Sequence, residues 1–194
     1  MRSLAAAPYD PQTAAQTRAG KPWGLRVAIN LYSFVGMYGR AVGTAEHLLA
    51  QGLAHAKATG VSEADMLEWR LTDDMFPLRR QLQIVIDFPK QWAARAAGLE
   101  LPAGIEGDST AAELAAALAA TKAWLAALTS EQFAGRDDVP LTVDLGVMEP
   151  TFPTSQWISG FASTNIYFHL SIAYAILRSK GVAVGKRDLF AGGL

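Results

Sequence analysis

Apolar residues recur with a helical period in four long stretches of the chain. In the first stretch a single stripe contains Leu31, Val35, Tyr38, Val42, Ala45, Leu49 and Leu53, which is the spacing of an amphipathic α-helix. Glycines follow the first, second and fourth stretches at positions 60, 98 and 181, where a helix commonly ends. The pattern predicts long helices over residues 29–59, 73–97, 109–128 and 154–180.

The segments between these helices carry weaker signals. A short connecting helix is predicted over residues 62–68, where Ser62 and Asp65 resemble a capping box. Alternation of Leu141, Val143 and Leu145 before Gly146 predicts a strand and a turn. Together these elements predict an all-α fold, a four-helix bundle with one long crossover and a small β-hairpin between helices three and four.

Residues 1–28 lack a sustained period and are rich in alanine, proline and glycine. We expect a loosely ordered arm there, or an arm that packs on a partner subunit with Trp23 as its anchor. Residues 29–194 are expected to form the single folded domain.

Composition removes several classes of function. The net charge of −1 argues against a nucleic-acid or anionic-membrane surface. The chain has no cysteine, which excludes disulfides and thiolate sites. No apolar run approaches the ~20 residues of a membrane span, so we expect a cytoplasmic protein. Charged residues make up 18% of the chain, below the usual ~25%, which hints at an oligomer.

The candidate chemistry lies on the fourth helix. Asn165 and His169 are four residues apart, so both project from one face of that helix. Gln81 interrupts the apolar stripe of the second helix in the same way. His169 is therefore a hydrogen-bonded core imidazole, a small-molecule contact or general acid/base, or a metal ligand.

Other polar residues have simpler interpretations. His47 and His55 are expected to face solvent. Asp73 or Asp74 is expected to cap the second helix, although either carboxylate could complete a metal site. Arg70, Arg79 and Arg80 form either a solvated face or the mouth of an anion site, and the alternatives stay open at this point.

Three sequence segments, residues 70–83, 165–178 and 181–188, resemble the domain of unknown function 1993 family over about residues 29–190. That family is grouped with the DinB/YfiT-like metalloenzymes, which are four-helix bundles and often homodimers. The wider group includes thiol-dependent transferases and isomerases that use mycothiol, bacillithiol or similar cofactors.

The resemblance also implies where a metal site would lie. The wider group holds its metal with one histidine from the second helix and a His-x-x-x-His pair from the fourth. His169 matches the second member of that pair, and Asn165 stands where the first would be. Gln81 or Gln83 lies where the histidine of the second helix is expected.

We therefore carry three functional hypotheses forward. The first is a small-molecule pocket inside the bundle without a tightly held metal ion, using His169, Asn165, Gln81, Gln83, Tyr38, Asp73 and Asp74. The second is a metal-dependent transferase or isomerase in which His169 and a carboxylate or water hold a divalent ion. The third is a non-catalytic dimeric interaction module.

Overall fold

The computed structural model describes residues 30–193, so the predicted arm over residues 1–28 lies outside the described residues. The elements in order are α1 (Leu31–Thr59), α2 (Glu63–Leu67), α3 (Leu78–Ala97), α4 (Ala111–Ala126), a 3₁₀ turn (Ser130–Phe133), β1 (Pro140–Thr142), β2 (Thr151–Pro153), α5 (Thr154–Gln156), a π-helix (Trp157–Ala162), α6 (Ser163–Ser179) and a second 3₁₀ turn (Lys186–Phe190). α5, the π-helix and α6 run end to end as the fourth long helix. The predicted helical bundle with a small hairpin before its last long helix is confirmed.

Local signals explain most helix ends. The Asn30 side chain accepts the Tyr32 amide at 3.0 Å and begins α1. Gly60 and Gly98 end α1 and α3 with φ of +74° and +69°, a left-handed conformation that glycine adopts without steric cost. Thr110 caps α4 in a reciprocal capping box with Glu113.

The start of α3 differs from the prediction. The helix begins at Leu78 rather than after Asp73 or Asp74, and Pro77 precedes it in an extended conformation with ψ of 165°. Asp74 instead accepts the Thr72 hydroxyl at 2.5 Å within an exposed turn. The capping prediction for both aspartates was wrong, because the turn over residues 71–75 separates them from the helix.

The core lies where the apolar stripes of the long helices meet. α1 packs on α4, and α3 packs on α6. The hairpin joins this core through Trp157, whose indole nitrogen donates to the Leu141 carbonyl at 2.7 Å. Trp157 also contacts the rings of Trp92 and Phe161. Within residues 30–193, no helix has the length and apolar character needed to cross a membrane.

The fourth long helix contains a π-helical turn that the sequence did not predict. Ser163 donates both its backbone amide and its hydroxyl to the Ile158 carbonyl, the hydroxyl at 2.8 Å. The buried Tyr38 hydroxyl reaches the same carbonyl at 3.1 Å. Thr154 was predicted to cap this helix but does not. Its hydroxyl instead donates to the Val139 carbonyl at 2.9 Å. π-Turns of this kind are frequent beside functional sites.

Candidate functional site

His169 lies on α6 and its ring meets Gln81 of α3. The distance from His169 Nδ1 to Gln81 Oε1 is 2.7 Å, and Gln81 Nε2 donates to the Phe76 carbonyl at 3.0 Å. Because the amide nitrogen of Gln81 is already a donor, its oxygen must be the acceptor and Nδ1 must carry a hydrogen. Gln81 therefore fixes both the orientation and the tautomer of the neutral imidazole, with the lone pair on Nε2.

The Nε2 atom of His169 is open. It has no hydrogen-bond partner in the described part of the chain. No side-chain nitrogen or oxygen there is both fully buried and unpaired. His169 is only 9% exposed, and its unpaired Nε2 therefore keeps some contact with the surface.

The surroundings of the ring favour its neutral form. Burial lowers the pKa of His169 below its ordinary value, and the nearby positive charge of Arg80 lowers it further. Gln81 accepts from Nδ1 but lacks the negative charge by which a carboxylate would raise the pKa of the ring. His169 is therefore an acceptor at neutral pH.

One aromatic ring and one guanidinium group lie next to the imidazole, and a second aromatic ring packs against that guanidinium group. The Phe168 and His169 rings meet edge to face, with 5.1 Å between their centroids. Arg80 Cζ lies 6.0 Å from the centroid of the Phe76 ring. Phe76 and Phe168 are 53% and 51% exposed, which is high for phenylalanine. We call these five residues, His169, Gln81, Phe76, Phe168 and Arg80, the His169 cluster.

The structure brings together only two of the residues predicted for the site, His169 and Gln81. Asn165 is half-buried one turn away, and its amide nitrogen donates to the Phe161 carbonyl at 2.8 Å. Gln83 is buried and does not bond to His169: its amide oxygen accepts from Arg80 at 3.4 Å, and its nitrogen donates to Gly107 at 2.9 Å in the loop before α4.

The remaining candidates for the site are Tyr38, Asp73 and Asp74. Tyr38 uses its hydroxyl at the π-helix, where burial raises its pKa strongly. Asp73 and Asp74 are exposed. None of these three residues hydrogen-bonds to His169 within residues 30–193, so the role predicted for them at a pocket rim stays a prediction.

The sequence suggested that His47 and His55 face solvent, but each contacts another side chain. His47 Nε2 lies 2.6 Å from Asp188 Oδ1, and this contact ties α1 to the last 3₁₀ turn. His55 is half-buried against the edge of Trp69. Residue spacing along α1 does not reveal that Asp188, near the end of the sequence, contacts His47.

The arginines near α3 have different surroundings. Arg70 donates to the Met75 carbonyl at 2.8 Å, and Arg79 pairs with Glu68 at 2.8 Å. Arg80 alone of the three acts on His169 electrostatically. Phe76 and Phe168 were missed by sequence reasoning, because an exposed aromatic residue next to a polar one has no distinct periodic pattern.

Five described cavities lie elsewhere on the surface, and none of them is lined by His169, Asn165 or Gln81. The pocket that the sequence predicted inside the bundle at these residues stays a prediction.

The donor atoms of the cluster do not fit the metal ion implied by the family resemblance. His169 offers one free ring nitrogen, Nε2, whereas Gln81 and Asn165 carry only neutral amide groups. Over residues 30–193, no three His, Asp or Glu side chains converge in a way that could hold a metal ion. One imidazole nitrogen with neutral amides is a weak ligand set for zinc or its neighbours.

Comparison with known proteins gives a family but no activity. The family model described as domain of unknown function (DUF1993) matches residues 31–190. A similar solved structure is that of a DinB family member protein from Shewanella denitrificans, with a TM-score of 0.74 and 29% sequence identity over 82% of this chain and 90% of that chain. No curated protein matches the chain. Since the family model covers most of its length, the chain belongs to the family of the domain of unknown function DUF1993, and its fold is that of a DinB family member.

Proposed function

We propose that this protein binds a small organic molecule at the His169 cluster, with His169 Nε2 as the hydrogen-bond acceptor and without a metal ion. The observation that carries the proposal is the open Nε2 on a ring whose Nδ1 is bonded to Gln81 at 2.7 Å. A histidine that serves only packing has no need for a fixed tautomer that leaves its lone pair at the surface.

The cluster also indicates the chemistry of the ligand. Nε2 accepts a hydrogen, so the ligand carries a hydroxyl, phenol or amide donor. Phe76 and Phe168 offer exposed aromatic surface, so the part of the ligand beyond the donor is apolar or aromatic. Arg80 adds a positive charge close by, which favours a ligand with a negative group.

The geometry supports binding more strongly than proton transfer. A general base takes up a proton, and here burial and Arg80 both oppose the charged imidazole. Gln81 supplies orientation but no negative charge. A reaction at this site would therefore rely on positioning and hydrogen bonding rather than on charge formation at His169.

The test is a screen of small phenols, amides and aromatic acids by saturation-transfer NMR in buffer with EDTA. A compound that binds the unaltered protein is expected to lose roughly tenfold in affinity with His169→Ala, which removes one hydrogen bond to a fixed acceptor. His55→Ala is the control, because that ring is half-buried against Trp69 on another helix.

Each outcome distinguishes the competing functions. Equal binding to His169→Ala and to the unaltered protein would refute the proposal. Binding that appears when the screen is repeated without EDTA, and is lost when EDTA is present, would support the metal-dependent alternative. If no compound binds and sedimentation shows a homodimer, the dimeric interaction module becomes the better hypothesis.

A further inference from the structure

A second concave site lies between the C-terminal half of α3, the loop before α4, and α4 itself. Its open cavity has a volume of about 570 Å³, within the range of sites that bind small organic molecules. No residue of the His169 cluster lines it. Its apolar wall consists of Pro102, Ile105, Ala117, Ala120 and Trp124.

The loop wall of this cavity is fixed to α3. Both carboxylate oxygens of Asp87 accept the Ile105 amide, each at 3.1 Å. Gly104 packs so close that a Cβ there would lie 2.9 Å from Asp87 Oδ2. The cavity is therefore formed in advance of any ligand, which lowers the entropic cost of binding.

One ammonium group lines the cavity with unused donor capacity. Lys90 Nζ lies 3.3 Å from Asp87 Oδ1, and its side chain is only 15% exposed. An ammonium group has three donors, and Asp87 is the one acceptor it meets among residues 30–193. Asp87 does not line the cavity, and its carboxylate lies behind Gly104 and Ile105.

The aromatic wall adds a second specificity element. Trp124 is half-buried, and its indole nitrogen has no hydrogen-bond partner in the described chain. Glu106 also lines the cavity but is exposed, where solvent screens its charge. A flat apolar surface next to a desolvated ammonium group selects a flat apolar molecule with one negative end.

We propose that this cavity is a binding site for a planar aromatic carboxylate. The ring system lies against Trp124 and Ile105, and the carboxylate accepts from Lys90 Nζ. The site is separate from the His169 cluster and does not depend on the function proposed there.

The experiment uses 2-naphthoate as the probe and its uncharged counterpart 2-naphthalenemethanol as the comparison. The readout is the indole N–H signal of Trp124, which is identified by its loss in Trp124→Phe from the signals of the five tryptophans. Saturable shifts of this signal are expected with 2-naphthoate. Lys90→Met is expected to weaken 2-naphthoate roughly tenfold and to leave 2-naphthalenemethanol unchanged.

A matched pair of variants locates the probe. Ala120 lines the cavity and Ala116 does not, although both are exposed on α4. Ala120→Phe is expected to abolish binding by filling the cavity, whereas Ala116→Phe is expected to retain it. The proposal is overturned if 2-naphthoate does not saturate, if both alanine variants bind equally, or if Lys90→Met binds the acid unchanged.

Discussion

Replacing Gln81 by leucine tests whether the hydrogen bond to His169 holds the site in its described form. Leucine keeps the apolar character of the α3 stripe at a position that is 1% exposed. It removes the acceptor of the His169 Nδ1 hydrogen and the donor to the Phe76 carbonyl. The buried Nδ1 is then left without a partner in either neutral tautomer.

The size of the effect follows from these two bonds. A buried donor without a partner costs about 1–3 kcal/mol, while the Phe76 carbonyl lies in an exposed turn where water can replace the amide. We therefore expect Gln81→Leu to lower the free energy of unfolding by about 2 kcal/mol. Urea unfolding at pH 7.5 measures this value, with an unchanged dependence on denaturant as the sign of an intact fold.

A double-mutant cycle separates the hydrogen bond from general loss of packing. With His169→Leu already present, Gln81→Leu leaves no unpaired imidazole, so its cost should fall by about 1 kcal/mol or more. Gln83→Leu is the control, because Gln83 is also buried but donates to Gly107 and Ser109. Its effect should add to that of His169→Leu within about 0.5 kcal/mol.

The reasoning is refuted if Gln81→Leu and His169→Leu are additive. That result would mean that Gln81 contributes to packing alone and that the tautomer of His169 is not set by α3. The ¹⁵N chemical shifts of the imidazole show directly whether Nδ1 or Nε2 carries the hydrogen. In Gln81→Leu the two tautomers should become mixed.

Three further outcomes follow from single contacts. Tyr38→Phe removes the hydroxyl from the Ile158 carbonyl and should lower the free energy of unfolding by about 1 kcal/mol; no loss in thermal unfolding would contradict a role at the π-turn. Because the pKa of His169 is lowered in the folded protein, the unfolded chain binds a proton first as the pH falls below about 6.5. The free energy of unfolding then falls by up to about 1.4 kcal/mol per pH unit. Between pH 7.5 and 5.5 this free energy should fall less in His169→Leu than in the unaltered protein, as measured by unfolding curves. Asp188→Ala removes the contacts to His47 and to the Gly185 amide and should speed proteolysis of the C-terminal segment severalfold, whereas an unchanged rate would show that the segment is held by other contacts.

Helix ends were predictable where a local residue determines them. Gly60 and Gly98 end their helices because few other residues adopt a positive φ without cost. The Thr110 and Glu113 side chains cap each other across one turn. The start of α3 was not predictable in this way, because the aspartates at 73 and 74 compete with a proline that keeps the chain extended until Leu78.

The π-turn left no trace in the hydrophobic pattern. Buried positions on the fourth long helix keep a spacing of three or four residues through it, as at Ile158, Ala162, Ile166, His169 and Ala173. The hydrophobic pattern does not show that the Tyr38 hydroxyl, from a distant part of the chain, donates to a carbonyl of this turn. Contacts between residues 120 positions apart are a property of the packed bundle and cannot be read from local sequence.

The site was predictable in its centre but not in its surroundings. An apolar stripe interrupted by His169 on one helix and Gln81 on another indicated a meeting point, since α3 and α6 are neighbours in a bundle. Periodicity could not tell which imidazole nitrogen would face inward. That depends on the Phe76 carbonyl, which takes the amide hydrogen of Gln81 and so turns the amide oxygen toward Nδ1.

Amides at positions 81 and 165 change what the bundle can do at this place. A carboxylate beside His169 would stabilise the imidazolium and raise its pKa. Gln81 instead accepts one hydrogen and carries no charge, while Asn165 spends its donor on its own helix. The remaining positive charge nearby, that of Arg80, also opposes protonation. The arrangement therefore suits the proposed ligand, which donates a hydrogen bond, and it is poorly suited both to a divalent cation and to a proton held at neutral pH.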